Sequence, residues 1–144
     1  MIQPASERVD DCELAAAVEA RSTLLKIGNR RKLFRQGQAA ERIFLLRKGE
    51  VVLTLKLSDG SVLGFKVLPG TFVGLVAVAG NQPYSMTATV AAESELHAIS
   101  KTAFQDVVGQ NARLSSRVQQ LLDEAKSVRL APLRLLRSSR PVTG

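Results

Sequence analysis

Val51-Val52-Leu53-Thr54-Leu55-Lys56-Leu57, followed by Ser58-Asp59-Gly60-Ser61, is the stretch whose reading decides the fold class. Successive side chains of an extended chain point to opposite sides, so Val51, Leu53, Leu55 and Leu57 share one face and Thr54 and Lys56 the other. Asp59-Gly60 suits the positive backbone angles of a type I′ turn, which makes Val62 to Val67 the return strand of a hairpin. Outward from this hairpin the same grammar continues. Gly37, Gly49, Gly60, Gly64, Gly70, Gly74 and Gly80 separate short β-rich runs between Lys32 and Ser100, a spacing that predicts a compact β-sandwich or barrel. Pro69-Gly70 predicts another corner, because proline presets one turn residue and glycine accepts the positive angle after it. Further strands are predicted at Ile43 to Arg47, Met86 to Ala91 and Glu95 to Ile99.

Helical patterns flank this β region. Cys12 to Ile27 mixes Leu14, Ala17, Val18, Leu24 and Leu25 with polar residues and alanines, predicting a short N-terminal helix ended by Gly28-Asn29. Lys101 to Val108 predicts a short helix interrupted at Gly109, and a longer one begins near Asn111. Along it Leu114, Val118, Leu121, Ala125 and Val128 recur at alternating steps of four and three, the apolar seam of a heptad repeat. Glu124 and Arg129 would then flank the seam and pair across a parallel partner helix, so these five residues are the expected homodimer interface. The competing reading packs the stripe on its own β-domain, a contact that Leu122, offset from the seam, also suits. Pro132 lacks an amide donor and ends or kinks the helix by Ala131. The organisation expected is one domain over 1–131, its dimer helix at about 111–131, and a flexible basic tail over 132–144.

Composition narrows the function classes. A chain of 144 residues with 45% apolar content forms a single core. No uncharged apolar run reaches the roughly 18 residues of a membrane span, and Met1 to Glu7 has neither the basic start nor the apolar segment of a secretory signal, so a cytoplasmic location is expected. Cys12 is the only cysteine and His97 the only histidine. No Ser-His-Asp or Cys-His constellation, phosphate loop or metal-spaced cluster is present, so no catalytic residue, metal or cofactor is expected. The charge of +7 is unevenly placed: residues 1–100 hold 12 Lys and Arg against 10 Asp and Glu, residues 101–144 hold 8 against 3. A basic C-terminal third favours phosphates or acidic partners, or is simply a solvated face.

The order of elements and several motifs resemble the cyclic-nucleotide-binding domain, in particular the effector domain of Crp/Fnr transcription regulators. Leu33-Phe34-Arg35-Gln36-Gly37 is similar to that family's strand and turn, Ile43 to Val51 to its central strand and tight turn, and Leu68-Pro69-Gly70-Thr71-Phe72-Val73-Gly74 to the approach to its phosphate-binding cassette. Ser94 to Ile99, continuing through Phe104, resembles its last strand and following helix, and the similarity covers roughly residues 30 to 131. The resemblance implies an α+β, mainly β fold: a double-stranded β-helix, or jelly-roll β-roll, with a short N-terminal helix and a C-terminal short helix plus long dimerisation helix.

It also implies where a ligand would sit and how this chain departs from the pattern. Nucleotide-binding members follow the cassette glycine with a glutamate for the ribose and, about ten residues on, an arginine for the cyclic phosphate. The matching positions here are Leu75 after Gly74, and Tyr84 beside Ser85. The residues that would cap the base fall on Arg129 and Leu130, and Lys48 and Lys66 are the cations of neighbouring strands. The candidate ligand site is therefore Gly74, Leu75, Val76, Tyr84, Ser85 and Met86, with Val78 also lining an apolar pocket and Tyr84 and Ser85 as polar handles. The leading expectation is a non-enzymatic regulatory domain with a degenerate cassette, taking a small apolar or aromatic ligand or none. Because the chain ends about where a helix-turn-helix would begin, specific DNA binding is not expected of it alone. The alternatives are a true small-ligand signalling protein, cyclic nucleotides included, and a nucleic-acid-associating protein acting through the basic C-terminus.

Overall fold

The computed structural model describes the backbone of residues 4–130 and the side chains of residues 12–125. The elements run α1 (Pro4–Ala20), β1 (Thr23–Lys26), β2 (Arg31–Phe34), β3 (Arg42–Lys48), β4 (Val51–Lys56), β5 (Val62–Val67), β6 (Phe72–Val73), α2 (Leu75–Ala79), β7 (Thr87–Val90), β8 (Glu95–Ser100), α3 (Lys101–Gly109) and α4 (Ala112–Leu130). The strands form two antiparallel four-stranded sheets, ordered β1-β8-β3-β6 and β2-β7-β4-β5. They face each other as a jelly-roll β-roll.

The deciding hairpin is present, with Val51 opposite Val67 and Lys56 opposite Val62. Its turn differs from expectation. Gly60 donates to the carbonyl of Leu57 and Leu57 to that of Ser61, and only Gly60 has a positive φ, so the loop is the three-residue kind, not a type I′ turn. Asp59 instead accepts from the backbone and hydroxyl of Ser61.

β3 is buried at Ile43, Phe44, Leu45 and Leu46 because both its faces are covered. The Phe34 and Phe44 rings meet between the sheets, while α2 and α3 lie against β3 from outside. The helices start where side chains satisfy their free amides. The Ser100 hydroxyl accepts from Ala103 at the head of α3, and the Asn111 carboxamide accepts from Arg113 and Leu114 at the head of α4.

The N-terminal helix is shorter at its C-terminal end than its composition predicts. It stops at Ala20, and Leu24 and Leu25 enter β1, opposite His97 and Leu96 of β8. The Ser22 hydroxyl, at 3.1 Å from the Glu19 carbonyl and 2.9 Å from His97 Nδ1, anchors the change of direction. Gly28 and Asn29 then carry the chain from one sheet to the other, and neither adopts the left-handed conformation of a helix cap. The tail over 132–144, Pro132, and the side chains of Val128, Arg129 and Leu130 lie outside the described residues.

Candidate functional site

The site begins with Gly74, which caps α2 in the left-handed conformation at φ 86°. A Cβ there would lie 3.0 Å from Tyr84 Cε1 and 3.3 Å from the Arg42 carbonyl, so the position needs both the backbone freedom and the missing side chain of glycine. What presses on it is Tyr84. That residue is 4% exposed, and its ring stacks on Phe34 with centroids 3.6 Å apart and planes 8° from parallel. Its hydroxyl donates to the Arg42 carbonyl at 2.6 Å and accepts from the Arg42 amide at 3.1 Å. Its backbone is held from the other side, donating to the Gln38 carbonyl and accepting from Gly37. Burial raises the phenol's pKa above its ordinary value of 10.0, against the opposing effect of its backbone hydrogen bonds, so the ring is neutral at physiological pH.

Gly74, Leu75, Val76, Tyr84, Ser85 and Met86 do converge on one cavity of about 160 Å³. Its remaining walls are Phe34, Leu53, Phe72 and Ala77, so among the described residues no lining residue carries a charge. Leu53 was legible as a member of the inward face of the hairpin. Phe34 and Phe72 stand in the motifs flanking the cassette, but only the folding of β2 and β6 over it brings their rings to the same space. Two expectations are corrected. Val78 is 1% exposed and turned into the core, not into this cavity. Tyr84 is not a free polar handle, because its one proton is already given to Arg42; the polar residue left among the lining is Ser85, which is exposed. Neither Lys48 nor Lys66 lines the cavity, and Lys66 pairs instead with Glu50 at 3.5 Å. Arg129 and Leu130 sit on the last turn of α4, with side chains outside the described residues.

Residues 24–111 match the family described as the cyclic nucleotide-binding domain. The chain belongs to that family. No curated protein matches the sequence. Among solved structures, this cyclic nucleotide-binding domain is similar to the catabolite activator protein of Thermus thermophilus (19% identity, TM-score 0.71), where the match covers 85% of this chain and 57% of that one. It therefore spans little more than half the length of that relative. The sensor domain of the transcriptional regulator DNR from Pseudomonas aeruginosa is 17% identical with a TM-score of 0.68, over 98% of this chain and all of that one. The N-terminal domain of a transcriptional regulator from Streptomyces coelicolor is 21% identical with a TM-score of 0.64, over 80% of this chain and 84% of that one. At these identities the likeness establishes the fold alone.

The expected dimer seam divides. Leu114 and Val118 are 4% and 7% exposed, packed into their own domain with the core. Leu121 and Leu122 are half-buried against that core, Ala125 is half-buried, and the Val128 side chain is outside the described residues. The first half of α4 thus packs within its own chain, against α1, α2 and α3, where the competing reading placed it on the β-domain. Among the described residues no helix is long and apolar enough to cross a membrane, and no three His, Cys, Asp or Glu gather as metal ligands would.

Proposed function

We propose that this cyclic nucleotide-binding domain is the non-enzymatic sensor domain of a Crp/Fnr-type regulator, acting in the cytoplasm, whose cassette is degenerate and does not hold a cyclic nucleotide. The observation that carries this reading is the uncharged lining of the cassette cavity, with Tyr84 clamped by Phe34 and the Arg42 backbone at the position where the resemblance implies a phosphate-binding arginine. A phenol carries no charge at neutral pH and cannot act as a guanidinium fork. Charge-assisted hydrogen bonds contribute about 1.5–3 kcal/mol each, so replacing the carboxylate and the guanidinium weakens nucleotide binding by roughly two to four powers of ten. The volume of about 160 Å³ is also below the roughly 300 Å³ at which drug-sized ligand pockets begin. The chemistry that fits is a small apolar or aromatic group, with Ser85 as its hydrogen-bonding partner.

Signal output runs through α4, which touches α1, α2 and α3. Self-association falls to its second half, where Leu121, Ala125 and Val128 continue the seam beyond the residues buried in the domain. Isothermal titration with cyclic AMP and cyclic GMP, paired with amide chemical shifts, tests the reading. Neither nucleotide is expected to move the amides of Gly74 to Ala77 or of Ser85 and Met86. Micromolar binding that does so overturns it.

A further inference from the structure

We propose that this chain carries a second ligand site, separate from the cassette: the cleft where the edges of the two sheets splay apart binds a small aromatic anion. The strand orders put β1 at the edge of one sheet and β2 at the edge of the other, and the short crossing after β1 ties those edges together. Between them opens a cavity of about 400 Å³, inside the range of roughly 300–1,000 Å³ typical of small-molecule sites. It is larger than the cassette cavity. Phe34 and Tyr84 line both, so their stack stands between the two spaces.

The lining has two parts. Leu25, Phe34, Phe44 and Tyr84 line its apolar side, and because each of the three rings is 5% exposed or less, only a small ring can reach the limited aromatic surface there. Arg31, Lys32 and Arg42 supply three cations against a single carboxylate, Glu41. The ion pairs among the described residues engage Arg21, Arg47, Lys66, Arg113 and Arg117, and none takes Arg31, Lys32 or Arg42.

Charge on an edge strand has an ordinary purpose, since it discourages pairing with another chain's edge. That accounts for Arg31 and Lys32 on β2. It does not account for Arg42, which opens β3: β6 reaches only Phe44 and Leu45, but the Arg42 amide and carbonyl are already taken by the Tyr84 hydroxyl, so no open edge is left there to protect. Its backbone is held against Tyr84, and the residue lines the same cleft as the two edge cations. Cations converging from two sheets on an aromatic wall suit a ring bearing a phosphate, sulfonate or carboxylate, with guanidinium able to grip the anion through two donors at once.

The test is an amide-shift titration of the whole chain with phenyl phosphate, and with inorganic phosphate in parallel. The expected result is saturable movement of Lys32, Ala39 and Arg42, with inorganic phosphate at least about tenfold weaker because it cannot use the aromatic wall. Arg31 and Arg42 are exposed, so R31Q/R42Q is expected to fold and melt as the native protein does while losing about tenfold or more in phenyl phosphate affinity. Absence of saturable movement overturns the proposal. So does movement centred on Gly74 to Ala77, or an affinity unchanged in R31Q/R42Q.

Discussion

Replacing Tyr84 by phenylalanine isolates the contact on which the candidate site is built. The ring and its stack on Phe34 stay, and only the hydroxyl goes. With it go the bond donated to the Arg42 carbonyl at 2.6 Å and the bond accepted from the Arg42 amide at 3.1 Å. A hydrogen bond contributes about 0.5–1.5 kcal/mol net, so the pair contributes about 1–3 kcal/mol. Both bonds are only part-buried, which places the loss in the lower half, about 1–2 kcal/mol. For a urea dependence of about 2 kcal/mol/M the unfolding midpoint falls by about 0.5–1 M. Far-ultraviolet circular dichroism is the suitable readout, because the chain has no tryptophan and Tyr84 is its only tyrosine. A Tyr84→Phe protein within about 0.3 kcal/mol of the native one refutes the clamp, since that is below the loss of even one such bond.

Four further outcomes are expected. Because the folded-state pKa of Tyr84 is raised, its contribution is complete below about pH 10 and disappears as pH rises through the folded value. Phenolate absorbance is therefore expected to titrate above 10.0 in the folded protein, and the stability gap between native and Tyr84→Phe to narrow as the phenol ionises. At Gly49 (φ 95°) a new Cβ would lie 2.1 Å from Ser94 Oγ and 2.7 Å from Ser94 Cα, whereas at Gly60 (φ 93°) it meets nothing within 4 Å. Gly49→Ala is expected to cost about 2–6 kcal/mol from strain plus overpacking, and Gly60→Ala only the strain of about 1–2 kcal/mol, as read by urea unfolding. Leu114→Ala is expected to lower stability by about 2–5 kcal/mol with the subunit number unchanged. Leu121→Gln is expected to weaken self-association by about tenfold or more while the fold persists, as read by analytical ultracentrifugation.

Local pattern by itself determined a compact β domain with flanking helices and their order, and the motif resemblance narrowed it to a β-roll. Alternating apolar residues at Val51, Leu53 and Leu55, glycines between short strands, and the helical patterns from Lys101 and from near Asn111 are all effects of neighbours in the chain, and they agree with one another. The family resemblance, not the local pattern, marked the cassette residues Gly74, Leu75, Val76, Tyr84, Ser85 and Met86, which the fold brings to one cavity. Three matters were decided only by tertiary structure. Leu24 and Leu25 continue a helical pattern, but pairing with β8 draws them into a strand, because a few edge residues gain more from a ladder than from one more helical turn. The heptad stripe of α4 is silent about its partner, and the domain's own core takes Leu114 and Val118 first, since a face within the same chain needs no second molecule. The role of Tyr84 depends on Phe34 and Arg42, which are distant in sequence and meet it only when the two sheets close, so no local rule could have told a ligand's handle from a wall.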